Sequence, residues 1–258
     1  PLIQGITLTG SQATGRAVAQ EAGLALKKIV LELGGNDPYL ILDDADLDLA
    51  VRTCVQSRLN NAGQVCIAAK RLLVSSKHYE HFIHLITASI KTYQPGDPLH
   101  PLTQLGPMAR DDLRQNVHTQ VTRTIKAGAS CLQGGHLPYT KGYYYPATLL
   151  TDVPAHSPAF TEEIFGPVLC LTPFDTLDQA ISLANQSLFG LGSAIFTQSI
   201  EQAEKIAPFL QTGTCAINTL VSSHPKLPFG GIKQSGFGRE LSVEGTREFA
   251  NVKTIVVN

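Results

Sequence analysis

The strongest constraint on this chain is an alternation of short apolar, β-branched runs with longer amphipathic stretches. Strands are predicted over residues 6–8, 28–33, 71–74, 143–150, 167–174, 193–197 and 214–218, and helices over 11–26, 46–59, 79–92, 111–127, 177–186 and 200–210. In 46–59 the apolar residues Leu47, Ala50, Val51, Cys54 and Val55 fall on one helical stripe, and Gly128 stops the helix that precedes it. Strands separated by helices of this length cannot pair as hairpins and instead build βαβ units. The expected fold is therefore α/β, an open, largely parallel sheet with helices on both faces. The run 252–257 is predicted as a lone strand with no helix after it.

A chain of 258 residues, 43 % hydrophobic and 16 % charged, can bury a substantial core. Twenty Lys and Arg against 21 Asp and Glu give a net charge of -1, which argues against a nucleic-acid-binding face. No apolar run approaches the roughly 18 residues of a membrane span, and no signal-peptide pattern opens the chain. The five cysteines (Cys54, Cys66, Cys131, Cys170, Cys215) are odd in number and form no CxxC, so reduced thiols and a cytoplasmic location are expected. No metal site is expected either: the histidines of HYEHFIH (78, 81 and 84) share a helical face only in pairs three residues apart, such as His78 and His81, with no carboxylate or thiol to complete a set. The chain opens, without Met, on PLIQGITLTGS, which reads as a strand already under way; a piece of a longer protein is expected.

Five stretches could carry chemistry. TLTGSQATGRA (7–17) sets Gly10 and Gly15 around a helix start directly after a strand, where backbone N–H groups can hold a phosphate and Ser11 can donate or cap. It is neither GxGxxG nor a P-loop, and an ordinary capped turn would look the same. In VLELGGND (30–37), Glu32 falls near the end of an otherwise apolar strand, beside two glycines. A carboxylate there finds a partner, reaches solvent, or has its pKa raised, which suits a general base. NAGQVCIAAK (61–70) puts Cys66 just after Gly63-Gln64-Val65, read as a loop turning into a short helix from Gln64, whose dipole would favour the thiolate. A buried core cysteine is the ordinary alternative. EEIFGPV (162–168) could orient a ribose or simply cap a turn, and LPFGGIKQSGFGRE (227–240) has the glycines for close backbone approach to a ligand.

Taken in order, strand-TGS-x4-G, ELGG, GQxC 34 residues beyond the Glu, EEIFGPV and PFGGxKxSGxGRE resemble the aldehyde dehydrogenase superfamily over essentially the whole chain. LGPMAR (105–110) and SGFGREL are most similar to its succinate-semialdehyde dehydrogenase group. The resemblance implies that Cys66 attacks the aldehyde carbonyl, with its own backbone N–H as one oxyanion donor, and that Glu32 activates the water that hydrolyses the thioester. It implies NAD or NADP as cofactor, with Gly10 and Ser11 in the cofactor loop, the Leu33 backbone at the carboxamide, Glu163 on the nicotinamide ribose and Phe165 beside it. Phe229 would line the substrate mouth, Ser223 would contact substrate, and Arg58 is the local candidate to pair a substrate carboxylate. Some semialdehyde dehydrogenases carry an Arg six residues before the nucleophile; Asn60 stands there in this chain. The family's second oxyanion donor and its adenine-ribose Lys would belong to an upstream segment, without which the 258 residues alone are expected to be inactive.

The implied organisation is the end of a Rossmann-like cofactor domain (1–34), a catalytic domain (35–230), and a return segment with an oligomerisation strand (231–258) of a homodimer or homotetramer. The implied partner is a small aldehyde, with a short dicarboxylic semialdehyde the leading candidate, and no nucleic acid or membrane. Two rival readings are a coenzyme A-acylating aldehyde dehydrogenase, which a hydrolytic Glu32 would disfavour, and a non-enzymatic structural use of the fold.

Overall fold

The computed structural model describes residues 2–139 and 141–258; Pro1, first residue of the expected cofactor-domain segment, and Thr140 lie outside them. Its strands are β1 Gly5–Thr9, β2 Lys28–Glu32, β3 Pro38–Ile41, β4 Arg71–Ser75, β5 Ser130–Gln133, β6 Thr148–Thr151, β7 Val168–Phe174, β8 Phe189–Gly190, β9 Gly192–Phe196, β10 Thr214–Ile217, β11 Ile232–Lys233 and β12 Gly236–Phe237. Its α-helices are α1 Gln12–Leu24, α2 Leu47–Leu59, α3 Tyr79–Ile90, α4 Asp111–Lys126, α5 Pro158–Thr161, α6 Leu177–Asn185, α7 Ile200–Ile206 and α8 Ser242–Glu248.

Seven strands form the main sheet in the order β10-β9-β3-β4-β7-β6-β5, and every neighbouring pair is parallel except β5 with β6 at the edge. Every residue of β3, β4, β6 and β9 is buried, as strands covered on both faces must be. α2 links β3 to its neighbour β4, while α6 returns the chain the other way across the sheet, from β7 toward β9; since such crossovers are right-handed, the two helices cover opposite faces. β3 was not anticipated, although it lies inside the sheet, between β9 and β4. Pro38-Tyr-Leu-Ile is a four-residue apolar run behind Gly-Gly-Asn-Asp, so the turn signals hide the strand.

A smaller sheet, β1-β2-β12, carries the amino-terminal part. Its central strand ends on Glu32, which pairs with Thr9 on one side and Gly236 on the other. Gly236 is required there: its φ is +117°, and a Cβ would lie 1.9 Å from the Leu31 carbonyl oxygen. α1 packs against β2, and Gly15 lets it approach, since a Cβ would meet the Leu33 side chain at 2.6 Å.

The 252–257 segment corrects an expectation. It forms no strand in the single chain, and Val252, Ile255, Val256 and Val257 are exposed. A strand exists only through its ladder, and among the described residues none pairs with this segment. The helix expected over 200–210 ends at Ile206 and tightens into a 3-10 turn, Ala207–Phe209, because Pro208 has no N–H to continue it. No helix among the described residues is long and apolar enough to cross a membrane.

Candidate active site

α2 ends at Leu59, and the chain then turns sharply through Asn61, Ala62 and Gly63, all with positive φ (51°, 53° and 75°). A Cβ on Gly63 would lie 2.2 Å from the carbonyl of Gly166, so only glycine allows the two segments to touch. This reversal delivers Cys66 to a turn just before β4, at the amino edge of the main sheet. The helix expected from Gln64 does not form. Ala68 N–H closes one turn on Val65, but Ala69 N–H goes to Ser57 Oγ, and the N–H groups of Lys70 and Arg71 go to the Asp37 carbonyl. With those donors committed to other elements, no i→i−4 ladder can start, and no helix dipole acts on the thiol.

What Cys66 has instead is a buried ammonium. Lys70 Nζ donates to the Cys66 carbonyl at 2.6 Å and to that of Val65 at 3.2 Å, and lies 3.2 Å from Glu163 Oε1. Burial pushes the Cys66 thiol up, while Lys70 pulls it down and Asp37 and Glu163 oppose that pull. Glu163 Oε1 also accepts from Gly35 N–H at 3.1 Å. Asp37 accepts from Gly192 N–H at 3.0 Å, and burial raises it to about 7 against the pull of Lys70. Lys70 and Asp37 were not singled out from the sequence; their signals, four residues after Cys66 and directly after Gly-Gly-Asn, became legible only once their burial was known.

Glu32 is 3 % exposed, and neither carboxyl oxygen has a hydrogen-bond partner among the described residues. Burial, then the charge of Glu240, push its pKa up to about 8, with Arg239 pulling the other way. It sits against the Gly-rich return loop, where a Cβ on Gly230 would come within 2.7 Å of Oε1. Leu33, Gly34 and Gly35 lead from Glu32 to the Cys66 turn, and a Cβ on Gly35 would lie 2.8 Å from the Cys66 carbonyl oxygen. The constellation thus spans the carboxyl end of the small sheet and the amino edge of the large one.

Two cavities flank it. One, of about 570 Å³, is lined by Val65 and Ile67 on either side of Cys66, by Gln56 and Asn60 of the α2 end, and by Ser222 and Ser223. Among the described residues, no Lys or Arg lines it. The other, of about 430 Å³, is lined by Ser11, Gln12 and Ala13 at the start of α1 and by Glu163 across from them. Ser11 caps α1 by accepting from Thr14 N–H, and Gly10 N–H donates to the Glu32 carbonyl. Leu33 N–H is taken by the Ser235 carbonyl.

The structure does not bring every expected residue to these cavities. Arg58 is fully buried, its guanidinium donates to the carbonyls of Ile164, Gly166 and Val168, and it lines neither cavity. A guanidinium buried among three carbonyls is held by the chain it supports. Phe229 is half-buried and pairs through its backbone with Glu240, without lining either cavity. Phe165 lies in the segment that Arg58 holds. His81 and His84 are exposed on α3.

The sequence model described as "Aldehyde dehydrogenase family" matches residues 1–255. The chain is 46 % identical over 253 residues to a probable succinate-semialdehyde dehydrogenase [NADP(+)] of Synechocystis sp., covering 98 % of this chain and 56 % of that protein. It is also 46 % identical to the succinate semialdehyde dehydrogenase [NAD(P)+] Sad of Escherichia coli, covering 98 % of this chain and 55 % of the relative. It superposes with a TM-score of 0.95 on a crystal structure of succinic semialdehyde dehydrogenase from Streptococcus pyogenes in complex with NADP+, at 41 % identity, over 98 % of this chain and 56 % of the other. The chain thus spans about half the length of the curated relatives it matches. A cysteine turn beside one cleft and Glu163 on the wall of the other, on a fold shared at this identity, leave one conclusion: the chain belongs to the aldehyde dehydrogenase family.

Proposed function

We propose that the protein carrying this chain oxidises an aldehyde to a carboxylate with NADP+ or NAD+, and that its substrate is a short dicarboxylic semialdehyde such as succinic semialdehyde. The observation that carries this reading is the position of Cys66, an unpaired thiol on a turn whose neighbours Val65 and Ile67 line one cavity, while Lys70 of the same loop reaches Glu163 on the other. The names of the relatives support the semialdehyde and the cofactor.

The second cavity suits a dinucleotide: a helix start after a parallel strand faces a carboxylate that can accept sugar hydroxyls. The bound cofactor supplies the hydride acceptor. The Cys66 thiolate attacks the carbonyl carbon, and the backbone N–H of Cys66 donates to the developing oxyanion, an interaction worth ~100–1000-fold in rate. Loss of hydride from that adduct leaves a thioester on Sγ. Ionised Glu32 then takes a proton from water as the water attacks the thioester carbon; the C–S bond breaks, the carboxylate product leaves, and the thiolate is restored. Ser11 and Glu163 hold the cofactor, and Ser223 meets the far end of the substrate.

Exposed Val252, Ile255, Val256 and Val257 support assembly with further copies of the chain. The test is aldehyde-dependent NAD(P)H formation by the intact protein across a panel of aldehydes, with and without coenzyme A. Absence of turnover, or an acyl-coenzyme A product, would defeat the proposal.

A further inference from the structure

Lys70 is only 2 % exposed, and a lysine this deeply buried is retained only where its charge is paired and its hydrogens are used. Its ammonium has three donors, and three acceptors are in place: the carbonyls of Val65 and Cys66, and Oε1 of Glu163. Two of these belong to the nucleophile's turn. The third belongs to a carboxylate 93 residues further along the chain, on the wall of the cleft that Ser11 and Gln12 share. A buried ion pair is a poor source of stability, because desolvation offsets most of the attraction, so fold stability alone gives little reason to keep one here.

The surrounding residues hold this arrangement in place. Glu163 is fixed by Gly35 N–H, and Gly34 leaves it room, since a Cβ there would lie 2.1 Å from Oε2. The neighbouring cations are committed elsewhere: Arg58 to the carbonyls of Ile164, Gly166 and Val168, and Arg71 to those of Asn36, Leu183 and Ala184. Among the described residues, Lys70 is the cation that hydrogen-bonds both sides of the site.

We propose that Lys70 is a positioning residue that holds the Cys66 turn and the Glu163 carboxylate on one ammonium, so that the nucleophile and the cofactor cleft are set together. This rests on the dehydrogenase reading for the identity of the cleft, but the electrostatic link to the thiol does not. The charges facing Cys66 are Lys70, which favours the thiolate, and Asp37 and Glu163, which oppose it; burial outweighs all three. Removing Lys70's charge therefore leaves the thiol facing two carboxylates in a dry site. Removing the charge of Glu163 leaves the ammonium to act on Cys66 with less competition. The two substitutions move the thiol in opposite directions, which a residue that merely fills space would not do.

The experiment follows iodoacetamide modification of Cys66 against pH by mass mapping in the intact, cofactor-free protein, for wild type, Lys70→Met and Glu163→Gln. Lys70→Met should raise the midpoint pH of modification by about one unit, and Glu163→Gln should lower it. Lys70→Met should also raise KM for NADP+ about tenfold, through loss of one charge-assisted contact on Glu163. If Lys70→Met lowers only the melting temperature and leaves both midpoint and KM in place, the proposal is overturned. If Lys70→Met does not fold, Glu163→Gln decides alone: a midpoint that stays or rises overturns the link. Failure of the dehydrogenase reading would appear separately, as wild-type protein without turnover but with the expected modification profile.

Discussion

Arg58 on α2 donates its Nε–H to the carbonyl of Val168, the first residue of β7, at 2.7 Å. The same guanidinium serves Ile164 and Gly166, so one side chain satisfies the carbonyls of the segment that carries Glu163 into place. Arg58→Met should destabilise the protein by about 3 kcal/mol or more, because three buried carbonyls lose their donor. Arg58→Lys should recover little, since an ammonium lacks the planar fork. Denaturant titration measures this. A change in KM confined to carboxylate-bearing aldehydes, with stability intact, would return Arg58 to the substrate site.

Cys66→Ala should abolish turnover, whereas Ser at Cys54, Cys131, Cys170 or Cys215 should leave the chemistry in place at some packing cost. Cys54 and Cys170 are fully buried with thiols pushed well up, Cys170 to about 12. Cys131 and Cys215 are half-buried and also pushed up, and among the described residues no ammonium acts on them. Limited iodoacetamide should therefore label Cys66 first. Earlier labelling of Cys131 or Cys215 would contradict the assignment.

Glu32→Gln should preserve a burst of NAD(P)H and slow the steady phase that follows, because the proposed work of the carboxylate starts once the thioester exists. In wild type the steady rate should rise with pH toward about 8, where Glu32 ionises. Loss of the burst together with the steady rate would mean that Glu32 acts earlier.

The same residue predicts a stability effect of definite sign. Its carboxyl titrates near 4.5 in the unfolded chain and near 8 in the fold, so the native state binds the extra proton between those values. The Glu32 contribution to stability is therefore intact below pH 4.5 and is lost as pH rises toward 8. Glu32→Gln removes that dependence, so its stability relative to wild type should increase by about 2–3 kcal/mol between pH 4.5 and 7. Urea titrations at the two pH values measure it, and a difference independent of pH would show that Glu32 ionises freely in the fold.

Ser223→Ala should raise KM for succinic semialdehyde several-fold more than KM for an uncharged aldehyde of similar length. Ser223 is exposed on the cavity wall, so stability should change by no more than about 0.5 kcal/mol. Equal effects on both substrates would remove Ser223 from recognition of the carboxylate.

Much of the fold was legible in the sequence because helices and strands write their periods locally. The α2 stripe, the cap at Ser11, and the strands β2 and β4 all follow from neighbours a few residues apart. The motif residues were legible as types: a thiol after a glycine turn, a carboxylate at a strand end, a carboxylate pair before Ile-Phe-Gly-Pro. Tertiary structure decided what surrounds them. The helix expected from Gln64 does not form because distant acceptors claim the amides of Ala69, Lys70 and Arg71, and β3 is a strand because β4 and β9 supply its two ladders. Arg58 and Lys70 look like surface cations in one dimension; in three, each is desolvated, Arg58 held by three carbonyls and Lys70 by one carboxylate roughly a hundred residues away. Burial and long-range hydrogen bonding depend on which segments meet, and no local pattern encodes that.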